Sequence, residues 1–121
     1  MISKQDCLDK LEKFSKYEEN WNGYGAAPFD KELINKCRLI LDNLIVYPMV
    51  FPTANDSIQF EYKSRNVYFE IEVCHNKYYL FCEVDGKCSN AELNSMSQAI
   101  DWWNVLALMV RERELNENLQ M

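Results

Sequence analysis

The residues best suited to chemistry in this 121-residue chain are carboxylates separated by even steps. Over 57–63, 66–74 and 77–85, apolar and polar side chains alternate, the pattern of strands with one buried face. Alternation sets Ile58, Phe60 and Tyr62 against Gln59, Glu61 and Lys63. It sets Val67, Phe69, Ile71 and Val73 against Tyr68, Glu70, Glu72 and Cys74, and Tyr78, Leu80, Cys82 and Val84 against Tyr79, Phe81 and Glu83. Short connections at 64–66 and 75–77 make antiparallel hairpins of these neighbours. The result is one face bearing Glu61, Glu70, Glu72 and Glu83 with Gln59, Tyr68 and Tyr79. Three chemistries fit it. It is a solvated surface on which glutamate deters aggregation. Or it binds a partner, with Glu61, Tyr68, Glu70, Glu72, Tyr79 and Glu83 joining acidic steering to aromatic anchors for a basic protein segment. Or its carboxylates hold a divalent metal or act as acid and base.

The metal chemistry has one specific pattern behind it. Glu61-Tyr62-Lys63 has the E-x-K spacing of metal-dependent nuclease cores, so Glu61, Lys63, Glu70 and Glu72 form the catalytic set of a hydrolase or nuclease alternative. Asp56 stands only five residues before Glu61, a short step for such a core, and the basic surface a nuclease needs is missing. Cys74, His75, Cys82 and Cys88 could gather around a hairpin, but their spacing matches no common zinc module. His75 is the sole histidine and sits beside a turn, and a dyad with Cys74 fails because strand neighbours point to opposite faces. Gly23-x-Gly25 lacks the third glycine and the Lys-Ser/Thr of phosphate loops. No cofactor and no metal site is expected.

Composition narrows the partners. Thirteen basic against nineteen acidic residues give a net charge of −6, which disfavours nucleic acid and anionic membranes as ligands. Hydrophobic residues make up 48% of the chain, enough for a globular core and too many for a disordered chain. Lys4, Asp6, Asp9 and Lys10 interrupt the first eleven residues, so no apolar signal core appears. No apolar run approaches the roughly 18 residues of a membrane span. Five cysteines, an odd number, with no export signal read as reduced thiols in a cytoplasm.

Helices position these strands. Ser3 and Asp6 cap a first helix, in which Cys7, Leu8, Leu11 and Phe14 recur at helical spacing. Pro28 and Asp30 prepare a second over 31–46, with Leu33, Cys37, Ile40, Leu41 and Leu44 as its stripe and Pro48 as its stop. Pro52 keeps the next stretch extended and out of a central strand. Residues 88–92 add a short fourth strand or only a loop. Ser95 with Gln98 forms a capping box for a last helix. That helix is apolar nearly all round, so it is buried on more than one side. Trp102, Trp103 and Leu106 are therefore candidates for a homodimer contact, the purely structural alternative. The chain from Glu114 is polar and is expected to fray. The sequence thus predicts one α+β domain over 1–121, with two N-terminal helices, a three- or four-stranded antiparallel sheet and a long C-terminal helix on one sheet face.

Between the first two helices lies Asn20-Trp21-Asn22-Gly23-Tyr24-Gly25-Ala26-Ala27-Pro28, which holds two of the chain's three glycines. Trp21, Asn22, Gly23, Tyr24 and Gly25 form a structural loop with unusual backbone angles. The run resembles the N-W-D-G-Y-G-A-x-P motif of uncharacterised prokaryotic and phage proteins. In that family a helix, a proline-flanked segment and an I-x-[FL]-E-[WY] strand follow, matched here by Pro48, Pro52-Thr53 and Ile58-Gln59-Phe60-Glu61-Tyr62. Phe69-Glu70-Ile71-Glu72-Val73 fits the next strand, so the resemblance covers about 20–73. Asn22 departs from the family's Asp, which favours a turn role over a chemical one. The resemblance implies mobile elements and the small regulators or inhibitors common among them. The expected function is a non-catalytic interaction domain with a protein partner.

Overall fold

The structure, a computed structural model, describes residues 1–119. Helices α1 (Lys4–Ser15) and α2 (Lys31–Leu41) precede strands β1 (Met49–Thr53), β2 (Ser57–Ser64), β3 (Val67–Val73), β4 (Tyr78–Val84) and β5 (Lys87–Leu93), and α3 (Met96–Leu119) closes the order. The strands form one antiparallel sheet in the order β1-β2-β3-β4-β5. This corrects the expected three or four strands to five. The strand missed altogether is β1, whose two flanking or internal prolines, Pro48 and Pro52, lower its strand signal; it survives because an edge strand needs only one ladder. β5 is a complete seven-residue strand, longer than the short 88–92 segment expected.

All three helices share one side of the sheet. Val50, Ile58, Phe60, Val67, Phe69, Ile71, Val73, Tyr78 and Leu80 point at Cys7, Leu11, Leu33, Ile40, Ala99 and Trp103 in one continuous core. Trp103 lies at its centre, fully buried, with its ring edge-to-face on Phe69 (4.7 Å between centroids, 78°) and on Phe60 (6.4 Å, 79°). Its indole N–H donates to Val46 O at 3.0 Å, so the polar edge is satisfied at the site of greatest burial.

The caps follow the sequence. Ser3 and Asp6 exchange bonds in a capping box at α1. At α3, Ser95 Oγ accepts from Gln98 N, and Gln98 Oε1 accepts from Asn94 N. α2 ends at Leu41, five residues before the expected limit of 46. The cause is tertiary. Asn104 of α3 donates to Asn43 O at 2.9 Å and accepts from Ile45 N at 3.0 Å, holding both groups out of helical register. α3 itself continues through Glu114 to Leu119, its last turns held by Arg113 on Asp85 and by an Arg65–Glu117 pair. Residues 120 and 121 of the expected frayed tail lie outside the described residues. Among the described residues, no helix is long and apolar enough to cross a membrane.

Candidate functional site

The sheet face turned away from the helices carries the sequence-predicted carboxylates. Register lays its side chains in rows across the strands. One row runs Phe51, Gln59, Glu72, Tyr79, Glu92; the next Met49, Glu61, Glu70, Phe81, Asn90; a third Lys63, Tyr68, Glu83, Cys88. Glu61 and Glu70 are thus direct cross-strand neighbours, an arrangement that costs stability unless something intervenes.

Tyr68 intervenes. Its hydroxyl donates to Glu61 Oε1 and lies 2.6 Å from Glu70 Oε2, and Gln59 Nε2 donates to the same Glu70 oxygen at 2.5 Å. Burial, and then the bonds to Glu61 and Glu70, push the Tyr68 hydroxyl far above the usual tyrosine range. It therefore stays protonated and stays a donor. Glu72 is held separately, by Ser57 Oγ at 2.5 Å, and Ser57 is fully buried beside Thr53. Glu83, opposite Tyr68, is exposed.

The structure thus brings together all six predicted partner-binding residues, Glu61, Tyr68, Glu70, Glu72, Tyr79 and Glu83. It adds Met49 and Phe51, 40% and 39% exposed on the same face, which the sequence reading missed because it did not recognise β1. Tyr79, 43% exposed, and Phe81 follow on β4, so Glu61, Glu70 and Glu72 lie between apolar groups of β1 and β4, with the polar residues Asn90 and Glu92 of β5 beyond. Lys10 reaches over the β1 edge to within 5.5 Å of the Phe51 ring centre.

The alternative catalytic set, Glu61, Lys63, Glu70 and Glu72, shares this face, but its parts do not converge. The Tyr68 hydroxyl occupies the space between Glu61 and Glu70, and Glu72 is tied to Ser57. Asp56 faces His75 instead, with Oδ2 2.7 Å from Nε2. Among the described residues no three His, Cys, Asp or Glu side chains are arranged to hold a metal. Of the thiols weighed for zinc, Cys82 pairs with Phe69 and Cys88 with Glu83, which places them on opposite sheet faces.

A second cluster was invisible in sequence. His75, at the β3–β4 turn, meets Asp56 of the β1–β2 turn, and its Nδ1 lies 3.9 Å from Asp30, the cap of α2. Lys36 of α2 donates to the carbonyls of Cys74 and His75. These contacts fasten α2 across the ends of two hairpins. The cluster holds no competent nucleophile: Ser57 Oγ is buried and bonded, and burial pushes the Cys74 thiol up to about 11.

The glycine loop is a folded unit. Trp21 stacks on Tyr17 (5.1 Å between centroids) and donates to Ala27 O at 2.9 Å. Asn22 Oδ1 accepts from Tyr24 N and Ala26 N, and Asn20 Oδ1 accepts from Gly25 N. Gly23 and Gly25 take φ of +79° and +86°, angles at which a Cβ is disfavoured. Tyr24 is left 93% exposed at the tip. Among the dimer candidates, Trp103 and Leu106 belong to the core, and only Trp102, 48% exposed, reaches solvent. Adjacent helical positions differ by about 100°, so one indole faces in and the other out.

No known protein family, curated protein or solved structure matches the chain. The likeness of 20–73 to the N-W-D-G-Y-G-A-x-P proteins rests on the sequence pattern alone.

Proposed function

We propose that the chain is a non-catalytic interaction domain that binds a basic segment of a protein partner on its open sheet face and so regulates or inhibits that partner. The observation behind this is the uncovered face itself, where Glu61, Glu70 and Glu72 on β2 and β3 stand between exposed Met49 and Phe51 on β1 and Tyr79 on β4, with Glu83 on the same strand as Tyr79. Apolar groups beside charge suit a protein interface, in which aromatic anchors supply affinity and charge supplies steering. The internal bonds from Tyr68, Gln59 and Ser57 hold three of the carboxylates in place before a partner arrives, which lowers the ordering cost of binding. A host or phage protein in a reducing cytoplasm belongs to this proposal, in keeping with five cysteines in thiol form.

A tagged pull-down from the native host tests it, with wild type beside Glu70→Lys/Glu72→Lys and folding of both checked by circular dichroism. The expected result is a specific partner that the folded double variant loses and that rising salt releases. A partner retained equally by the double variant would refute the assignment of this face.

A homodimer is the second reading, favoured by the exposure of Trp102, Val105 and Leu108 on successive turns of α3.

A further inference from the structure

β1 begins at Met49, opposite Glu61, while β2 runs on to Ser64. For its last three residues β2 has β3 on one side and, among the described residues, no strand on the other. The chain before β1 turns away here to meet Asn104 and Trp103. A groove of about 570 Å³ opens at this gap, between residues 45–49, the end of β2 and α3. Its size lies within the range of about 300–1,000 Å³ typical of small-molecule sites. Ile45, Val46, Tyr62 and Val110 give it apolar walls.

The charges at its mouth are unequal in what they already do. Glu61 is taken by the Tyr68 hydroxyl and Glu114 accepts from Ser64 Oγ at 3.3 Å. Arg111 and Lys63 also line the groove, and neither forms an ion pair among the described residues. Arg111 spends one donor on Ile45 O at 3.3 Å, and a guanidinium has five. Burial raises the Tyr62 hydroxyl pKa, with Glu114 adding to the shift and Arg111 opposing it, so both charges are within electrostatic reach of that ring's polar end.

We infer that this groove binds an apolar monocarboxylate, with its hydrocarbon against Ile45, Val46 and Val110 and its carboxylate on the Arg111 guanidinium. Arg–carboxylate pairing is the stronger kind of hydrogen bond and is geometrically specific. Glu114 opposes such a ligand, which gives the assignment a sign that can be read. The groove adjoins the open sheet face at Met49, Glu61 and Lys63, but the residues that would hold the ligand, Ile45, Val46, Val110 and Arg111, lie before β1 and on α3.

Isothermal titration of the full chain with decanoate, octanoate, decanol and decylamine tests it. Decanoate should bind one-to-one and more tightly than decanol or decylamine. Each methylene between octanoate and decanoate should add up to about fourfold in affinity. Arg111→Gln should weaken decanoate by about tenfold or more, and Glu114→Gln should strengthen it. Amide shifts on titration should centre on Ile45, Tyr62 and Val110. Absence of saturable binding to wild type, preference for decylamine, an unchanged affinity in Arg111→Gln, or shifts centred elsewhere would each overturn the inference. If Arg111→Gln loses its fold by circular dichroism, the sign of the Glu114→Gln effect decides alone.

Discussion

Replacing Tyr68 by Phe removes one hydroxyl and leaves Glu61 and Glu70 facing each other across β2 and β3. A hydrogen bond to a charged acceptor contributes about 1.5–3 kcal/mol, and partial exposure of Tyr68 discounts this to about 1. An uncushioned like-charge pair directly across a ladder adds about 0.2–1 kcal/mol. The variant should therefore lose about 1–2 kcal/mol at pH 7, and at about 2.1 cal/mol/K per residue that is a fall of roughly 4–8 °C in Tm. The pH dependence is more diagnostic. The folded-state pKa of Tyr68 is raised, so above the unfolded value of about 10 the native chain holds more protons than the unfolded one, and stability falls as pH rises. The advantage of wild type is then fully present below about pH 10 and declines above it, by at most about 1.4 kcal/mol per pH unit. Urea titrations followed by tryptophan fluorescence, for both proteins at several values from pH 7 to 11, measure the difference. Taking that difference cancels Tyr62 and Tyr78, which burial also pushes up. A difference near zero at pH 7, or one that stays constant through pH 11, would refute the account of Tyr68 as the donor that separates two carboxylates.

Asn104→Ala should cost about 1–2 kcal/mol through two lost bonds to residues 43 and 45, read as a shift in urea midpoint without a change in slope. Asn22→Asp should leave thermal stability nearly unchanged, because a carboxylate accepts the same two backbone N–H groups, whereas Asn22→Ala should cost about 1–2 kcal/mol. Gly25→Ala should cost about 1–2 kcal/mol in the same assay from its positive φ alone, since an added Cβ would meet nothing within 4 Å. Light scattering on Trp102→Lys tests the homodimer. The variant should keep its circular dichroism spectrum and, if the α3 stripe is the contact, scatter as a monomer; an unchanged wild-type dimer would remove that stripe from consideration.

Local signals carried far in this chain. The Ser3–Asp6 and Ser95–Gln98 caps formed as their spacing required, alternation assigned the faces of β2, β3 and β4, and the short connections gave their antiparallel pairing. What escaped was non-local. β1 is five residues long and contains a proline, so only its pairing with β2 makes it a strand, and Met49 and Phe51 went unnoticed on the acidic face as a result. α2 would run further on its own propensity, but Asn104, more than fifty residues away, competes for its end. The His75–Asp56–Asp30 contacts join two turns and a cap that no periodicity connects. On α3 the spacing of Ala99, Trp103, Leu106, Ala107 and Val110 marks the side that is buried, but apolar residues all round left Trp103 and Leu106 beside Trp102 among the dimer candidates, and of the three only Trp102 is exposed.

The strand order has a bearing on how the chain assembles as it is synthesised. Each strand pairs with its immediate successor, so the sheet needs only short loop closures and can zip as it leaves the ribosome. α1 and α2 are made before the sheet, but Phe60 and Phe69 lack their ring contacts with Trp103 until the last element is made. The bonds from Trp103 to Val46 and from Asn104 to Asn43 and Ile45 span 57 to 61 residues. Emergence of α3 is thus the event that completes the core over β3 and β4, and a chain stalled before residue 96 exposes the apolar surface that α3 covers.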